Sequence, residues 1–397
     1  MRALVALAVA ALVTVGASPQ DAPKVVVHEW GTFTSVAGSD GASLDWRPLA
    51  GPSDLPSFVY DVSGSPKGLR HGQAIEPCNH KEPNQCKGCT NATVRMETPV
   101  LYFYSDRETT LSVKVDFPKG KITEWYPAAR NVSQGIDWGQ VRILKHSGAE
   151  LRNETGDSHY YPARETDADI VRVCMAKNPE YEKFLFYRGV GTFDLPISVS
   201  LEEGGKKIRL RNKGEDPIRP VIVFENRGGK KQYGIYALAG EKRDIQVARP
   251  LDEGNINYQD LDVEGALLKH LVETGLYEKE TKAMLKTWRD SWFEPGLRVF
   301  YVVPKMATAS TLPISISPAP AELVRVLVGR AEIITPELET SIGSLAAKLG
   351  DESFENREAA MKSLAAYGRF AEPVLKKILA TTQDAEVKLR IRRLIGG

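Results

Sequence analysis

Short strand-like segments, separated by turn residues, recur along most of this chain. They carry the β-branched and aromatic residues that suit a pleated, half-buried surface, and the pairs Gly204-Gly205 and Gly228-Gly229 supply tight turns between them. Regular spacing of such segments is typical of an antiparallel β-sandwich. We therefore predict a mainly β fold with strands near residues 98–104, 111–117, 122–126, 184–187, 197–201, 208–210, 220–224, 233–238, 297–303 and 312–316.

The first strand-like segment covers residues 25–36 and reads VVVHEWGTFTSV. Its valine, threonine and aromatic content predicts a core strand that begins the folded body. We expect this β-rich body to span residues 24–320. It is built either as one unit or as two sandwich halves, residues 24–190 and 191–320.

Two parts of the chain have helical rather than strand periodicity. Residues 263–292 predict a helical hairpin inserted late in the body, with Gly275 at the turn. Residues 336–397 predict four short amphipathic helices, which resemble two HEAT-type helix pairs. Because about three repeats are needed for independent stability, we expect this HEAT-like segment to pack on the β body.

The N-terminal composition predicts export. Residues 1–17 contain one charge, Arg2, followed by an apolar run and the small residues Gly16 and Ala17, which is the pattern of a secretory signal peptide. The run is shorter than the roughly 20 residues that cross a bilayer, so we expect a secreted or periplasmic protein without a membrane span. Loss of Arg2 takes the formal net charge from +1 to zero, so no overall field favours nucleic acid.

Four sequence motifs support a family resemblance. VHEWGTFTSV begins at Val27, METPVLYFY at Met96, ITEWYP at Ile122 and FLFYRGVG at Phe184. Together they resemble a family of uncharacterised secreted bacterial proteins, here carrying a C-terminal HEAT-like helical segment. The resemblance covers residues 24–335 and implies an exported, mostly β protein, without implying a catalytic residue.

A cysteine-rich excursion is the sharpest local signal for a metal. Cys78, His80, Cys86 and Cys89 provide three thiols and an imidazole, which match the ligands of a structural zinc site. In an oxidising compartment the same cysteines form disulfides, with Cys174 as the fourth thiol. Both zinc and disulfides are open interpretations of this spacing.

The adjacent residues His28 and Glu29 suggest a ligand and a base side by side. Successive side chains on a flat strand point to opposite faces, so His28 shares a face with Trp30 while Glu29 lies on the other. Both can reach one metal only if a bulge, for example at Gly31, re-aims one of them. The simpler interpretation is a core strand whose histidine makes a structural hydrogen bond.

Three glutamates in strand-like segments are candidate catalytic carboxylates: Glu29, Glu97 and Glu124. A pair of them across a cleft would suit the hydrolysis of a sugar. Aromatic residues nearby would supply stacking surfaces for such a ligand, and the candidates are Trp30, Tyr102 and Trp125. Isolated glutamates in strands more often form salt bridges.

Two further aromatic candidates lie on the predicted hairpin. Trp288 and Trp292 are one helical turn apart and share a face. They would form either a ligand platform or a core anchor, and a core anchor is the commoner role for such pairs. We interpret them first as core residues.

Together these patterns favour a secreted, non-enzymatic binding or envelope-associated protein, whose partner is a protein or a glycan. The alternative is a secreted hydrolase, metal-dependent or acting on glycans. In that case His28, Glu29, His71 and nearby carboxylates would form its site, and zinc is the one cofactor that the composition suggests. No phosphate-binding glycine loop or nucleophile elbow is present.

Overall fold

The computed structural model describes residues 22–49, 54–62, 90–145, 147–156, 158–240, 242–251 and 262–396. The fold is mainly β, with several sheets and a C-terminal helical region. Within these ranges no helix is both long enough and apolar enough to cross a bilayer. The predicted signal peptide, residues 1–17, lies outside the described residues.

Eighteen strands are numbered here in chain order. Most are short. Some bury alternate positions as the sequence periodicity predicts, whereas others, in the large sheet, are buried along almost their whole length. Their bounds are β1 Val25–Ala37, β2 Tyr60–Asp61, β3 Val94–Ser105, β4 Thr109–Asp116, β5 Gly120–Tyr126, β6 Asn131–Val132, β7 Gly135–Leu144, β8 Ile170–Val173, β9 Glu180–Glu182, β10 Leu185–Gly191, β11 Ile197–Glu202, β12 Lys207–Asn212, β13 Ile218–Arg227, β14 Lys230–Leu238, β15 Asp244–Ala248, β16 Gly296–Val302, β17 Ile314–Ser317 and β18 Glu322–Ile333.

Nine strands form one large sheet in the order β14-β13-β16-β18-β1-β3-β10-β5-β2. Strands from both sides of residue 190 therefore share a single sheet. β1 pairs in parallel with β18 over its whole length and antiparallel with β3. The parallel pair differs from the antiparallel pairing that the sequence pattern predicts. It joins β1, at the start of the β body, to β18, which lies beyond residue 320, where the predicted body ends.

Two smaller sheets cover one face of the large sheet. One has three strands, β11-β12-β15, and the other contains β17-β4-β7-β8-β9 with β6 paired to β7. Apolar side chains of all three sheets join in one core, which includes Val27, Phe103, Trp138, Leu210 and Val299. The central strands of the large sheet are almost completely buried because apolar side chains are covered on both faces of the sheet.

The opposite face of the large sheet packs against two helices, α1 Val263–Glu273 and α2 Glu278–Trp292. These helices form the hairpin expected over residues 263–292, and Gly275 between them has a φ of 108°, a conformation that favours glycine. Leu271, Trp288 and Trp292 enter a second core with the aromatic side chains of the sheet. We call it the aromatic core.

The C-terminal helices follow a short helix, α3 Lys305–Thr311, and strand β18. They are α4 Pro336–Ala347, α5 Phe354–Ala366, α6 Ala371–Thr381 and α7 Ala385–Leu394. Their apolar faces form a third core, which also contains Val36 at the end of β1, Trp46, and Ile334 just after β18. The helices therefore pack on the β body, because the body supplies part of their core.

The substitution Ile391→Ala tests this packing. Ile391 is fully buried in the third core, so its truncation should lower the free energy of unfolding by about 2–5 kcal/mol. Leu389 lies in the same helix but is 44% exposed, so Leu389→Ala is the matched control and should change stability little. Urea denaturation of both variants measures the difference. Equal effects would show that the third core does not hold α7.

Candidate functional site

A row of charged and hydroxyl side chains crosses six neighbouring strands of the large sheet, on the face that carries the aromatic core. Side chains two or four positions apart on a strand lie on the same face. Some members of the row follow a residue of the aromatic core at this spacing, and the others pair with such a member on a neighbouring strand. We call this row the polar band. Its members are Thr32, Thr34, Arg95, Glu97, Glu124, Arg188, Arg298, Arg330 and Glu332.

At one end of the band, Glu332 accepts hydrogen bonds from three arginines. Arg298 Nε lies 3.1 Å from it, Arg330 donates from the same strand, and Arg369 reaches it from the turn before α6 at 3.1 Å. Burial disfavours the charged carboxylate, but these guanidinium groups outweigh burial and hold the pKa of Glu332 well below its usual range. Glu332 is therefore a fixed negative charge.

At the other end, Arg188 pairs with Asp54 through both of its terminal nitrogens, at 2.6 and 2.9 Å. Burial disfavours the charged form of Asp54, but Arg188 and His159 outweigh it and hold the pKa of Asp54 far below its usual range. His159 lies 2.8 Å from Asp54 through Nδ1 and 2.8 Å from Asp290 through Nε2. Since both carboxylates accept, both ring nitrogens donate and His159 is an imidazolium.

The middle of the band is Glu97, which accepts a hydrogen bond from Thr34 Oγ1 at 2.7 Å and lies 3.5 Å from Arg95 Nε. Burial opposes ionisation, but the positive charges of Arg95 and Arg330 outweigh it and lower the pKa of Glu97. The next residue, Thr98, has a φ of 46° although it is β-branched and buried. Such a conformation costs about 1–3 kcal/mol and is common at binding and active sites.

The register between β1 and β3 shifts beside Gly31, between Trp30 and Thr32. The extra residue lies on β3, at Thr98, and not on β1. A Cβ at Gly31 would lie 3.0 Å from Pro99 and from Leu327, so glycine allows the close approach of the neighbouring strands. The irregularity considered at Gly31 therefore leaves His28 and Glu29 on opposite faces.

His28 belongs to a separate buried cluster near the start of β1. Its Nδ1 lies 2.8 Å from Glu280 Oε2, and Tyr104 donates to Glu280 Oε1 at 2.7 Å. The ring of Tyr277 packs on His28 with centroids 4.4 Å apart. Thr32 of the polar band lies four positions after His28 along β1, which is about 13 Å at ~3.3 Å per residue. Because Glu97 pairs with Thr32, His28 and Glu97 do not meet.

Glu29 lies on the opposite face of the sheet. It accepts hydrogen bonds from Tyr187 at 2.5 Å and from Arg325 Nε at 2.6 Å. Glu124 lies in the polar band beside Arg188, with which it pairs across β5 and β10. The four candidate catalytic residues therefore fall into three places: His28 with Glu280, Glu29 with Arg325, and Glu97 with Glu124 in the band.

The five aromatic residues considered for ligand stacking lie mostly inside the protein. Trp30, Tyr102 and Trp292 are fully buried, and Trp288 is 3% exposed. Trp125 is half-buried and stacks on Tyr60 of the edge strand, with centroids 6.0 Å apart and an interplanar angle of 16°. Among the five, Trp125 is the one whose ring reaches the surface.

The cysteine site falls on residues that the structure does not describe. Cys78, His80, Cys86, Cys89 and also His71 lie within residues 63–89. Cys174 is exposed, and the described residues include no sulfur partner for it. Over the described ranges, no group of three or more histidine, cysteine, aspartate or glutamate side chains has an arrangement that would hold a metal ion.

Sequence reasoning did not identify Glu280, Arg298, Arg330 or Glu332. A signal was present for the last three, because each is a charge within an otherwise apolar strand segment, such as VLVGRAEI. A charge buried in a central strand must be paired, so such positions mark places where strands bring opposite charges together. Glu280 lies on an amphipathic helix among other charges and carries no comparable signal.

Removal of the Glu332 charge should destabilise the protein strongly. Glu332→Gln leaves Arg298 and Arg330 buried without their main partner, so the free energy of unfolding should fall by about 3–5 kcal/mol. Glu339→Gln breaks an exposed pair with Lys377 and should cost less than about 1 kcal/mol. Urea denaturation compares the two. Similar losses would mean that the band's ion pairs are not coupled to folding.

The imidazolium of His159 predicts a pH dependence of stability. Hydrogen bonds to Asp54 and, second, to Asp290 raise its pKa above the usual 6.5, against the effect of burial. The stabilisation is therefore complete below about pH 6.5 and is lost as the pH rises through the raised pKa. The stability difference between wild type and His159→Gln should be largest below about pH 6.5 and should shrink as the pH rises above it.

Urea denaturation at each pH gives this difference. The control is His270→Gln, since His270 lies on α1 with a single carboxylate partner, Glu273, on the helix surface. The stability difference between wild type and His270→Gln should be small at every pH. A His159→Gln difference that stays constant or grows with pH would contradict an imidazolium at this position.

No family model matches the chain, and no curated protein matches it. The candidate site is therefore defined by the geometry of the described residues. Two places stand out, the polar band and the His28–Glu280 cluster.

Proposed function

We propose that the protein is an exported, non-enzymatic binding protein and that the polar band is its binding site. The observation that carries this proposal is the state of the carboxylates. Glu97, Glu332 and Asp54 are held ionised by arginines, whereas sugar hydrolysis needs one carboxyl group with a raised pKa to act as the acid. Fixed ion pairs suit the orientation of a ligand better than the transfer of a proton.

The edge of the band is accessible. Side chains that surround it are partly exposed: Arg95 at 23%, Asp54 and Glu294 at about 30%, and Arg369 at 22%. The residues between them, including Thr32 and Arg188, are buried. The rim of the band is therefore open to solvent, while its floor is buried.

The finer architecture is part of the same proposal. We propose a β-sandwich body with a HEAT-like C-terminal segment, secreted or periplasmic, in the secreted bacterial family that the four motifs resemble. The C-terminal helices expose Phe354 at 58% and Leu389 at 44%, which supports a contact with a protein at the cell envelope. The ligand of the band itself would be small and polar, for example part of a glycan.

The second candidate is a secreted hydrolase, and the His28–Glu280 pair favours it. A carboxylate that holds Nδ1 of an imidazole is the usual way to orient a general base. Zinc at Cys78, His80, Cys86 and Cys89 would be compatible with it, although these residues lie outside the described ranges. The tyrosine hydrogen bond to Glu280 and the burial of the pair favour a structural role instead.

A thermal-shift panel of neutral sugars, sugar acids, phosphates and short peptides tests the binding proposal. At about 100 times Kd, a ligand adds about 2.7 kcal/mol of stability, so Tm should rise by several degrees. The rise should be lost in Arg188→Lys, which keeps the charge but loses the two-nitrogen contact. Arg325→Lys, on the opposite face, should retain it.

The same samples decide between binding and catalysis. Mass spectrometry after incubation should recover the ligand unchanged. A product that forms with wild type and disappears in Glu280→Gln would replace the binding proposal with the hydrolase. No Tm rise with any member of the panel would contradict a ligand site at the band.

A further inference from the structure

Several buried hydrogen-bond donors of the polar band point to the kind of ligand it accepts. Within the described part of the chain, Thr32 Oγ1, Arg95 Nε and Arg188 Nε are buried and have no hydrogen-bond partner. Two more such atoms lie beside the band, Thr98 Oγ1 and Arg369 Nε. An unpaired buried donor costs about 1–3 kcal/mol, so the three donors within the band call for an explanation.

Thr32, Arg95 and Arg188 lie on three neighbouring strands of the band, β1, β3 and β10. Thr32 pairs with Glu97 across β1 and β3, and it shares its face with Thr34, which donates to that glutamate. Arg95 is the ion-pair partner of Glu97. The positive charges of Arg369 and Arg330 also help to lower the pKa of Glu97. The negative charges of Glu97 and Glu124 help to raise the pKa of Arg188 against the effect of burial. Thr32 and Arg188 therefore lie on the two strands that flank β3, which carries Arg95 and Glu97.

The guanidinium groups of the band carry more donors than its carboxylates can accept, and Arg298 and Arg330 direct part of this excess to backbone carbonyl groups. A guanidinium carries about five N–H donors, whereas a carboxylate offers about four acceptor sites. The band and its rim contain equal numbers of each group: arginines 95, 188, 298, 330 and 369 against Asp54, Glu97, Glu124, Glu294 and Glu332. The formal charges cancel, so the donors, and not a net positive field, would recognise a ligand.

We propose that the centre of the polar band binds an oxyanion group of its ligand, a carboxylate, sulfate or phosphate, through Thr32 Oγ1 and the Nε atoms of Arg188 and Arg95. This proposal rests on the binding function above and names the ligand class. An oxyanion presents several acceptors within a small volume, and hydrogen bonds from guanidinium to such groups are the stronger kind. A neutral hydroxyl would satisfy fewer of these donors.

Thr32→Val is the critical variant. Valine has nearly the shape of threonine but lacks the hydroxyl, so the change removes one proposed contact without opening a cavity. In the free protein it removes an unpaired buried hydroxyl, so the fold should be as stable as wild type or more stable. Thr308→Val is the matched control, because Thr308 Oγ1 is also buried without a partner but lies in α3, outside the band.

Calorimetric titration with D-glucuronate, inorganic sulfate and inorganic phosphate measures the binding, with D-glucose as the neutral probe. At least one oxyanion should bind wild type and Thr308→Val with equal Kd, and Thr32→Val should weaken it about tenfold or more. The ranking of the three anions identifies the source of the group. Arg188→Lys should weaken the same anion, since its Nε is lost.

Two results would overturn the inference. One is binding of D-glucose, or of another neutral member of the panel, that depends on the band while none of the three anions binds. That result would support the binding function but show that the ligand group is not an oxyanion. The other is anion binding that is unchanged in Thr32→Val, which would place the anion elsewhere and assign these donors to structural water. Failure of every ligand at the band would instead reject the binding function.

Discussion

Charge pairing across the centre of the large sheet is the constraint on which the rest of the structure depends. A charge in a low-dielectric interior is tolerated when opposite charges and hydrogen bonds surround it. Arg298, Arg330 and Glu332 meet this condition through strand pairing, but Glu332 also needs Arg369 from the C-terminal region. The sheet and the helices that follow it are therefore joined by electrostatics as well as by the third core.

The same requirement joins the helical hairpin to the sheet. Glu294, just after α2, accepts hydrogen bonds from Arg330 and Arg369. Asp290, in the last turn of α2, holds His159, which in turn holds Asp54. Elements far apart in sequence thus meet at the rim of one polar surface. Such a surface is preorganised, because its side chains are fixed by one another before any ligand arrives.

Strand β1 divides the helix-covered face into two chemically different places. Its first half carries His28, which is closed by Glu280, Tyr104 and Tyr277. Its second half carries Thr32 and Thr34 in the polar band. The change occurs beside Gly31 and the extra residue at Thr98, where the register of β3 shifts. The strained backbone at Thr98 lies next to Glu97.

Local patterns in the sequence were sufficient for many of the elements, although they did not predict β7, β8, β15 or β18. The β-rich body, the hairpin over residues 263–292 and the C-terminal helical region follow from periodicity and from glycine at turns. Strand alternation also separates His28 from Glu29, and the structure places them on opposite faces. These features depend on residues within one strand or one helical turn, so the sequence by itself determined them.

The tertiary structure decided which elements meet. Glu280 is 252 residues from His28, and Arg325 is 296 residues from Glu29. The parallel pairing of β1 with β18 and the row of charges across six strands depend on the sheet order. No local periodicity encodes that order, because pairing partners are selected by the packing of the whole chain. The tertiary structure also decided the candidate site, because most of its charges are stabilised by a partner from a distant part of the chain.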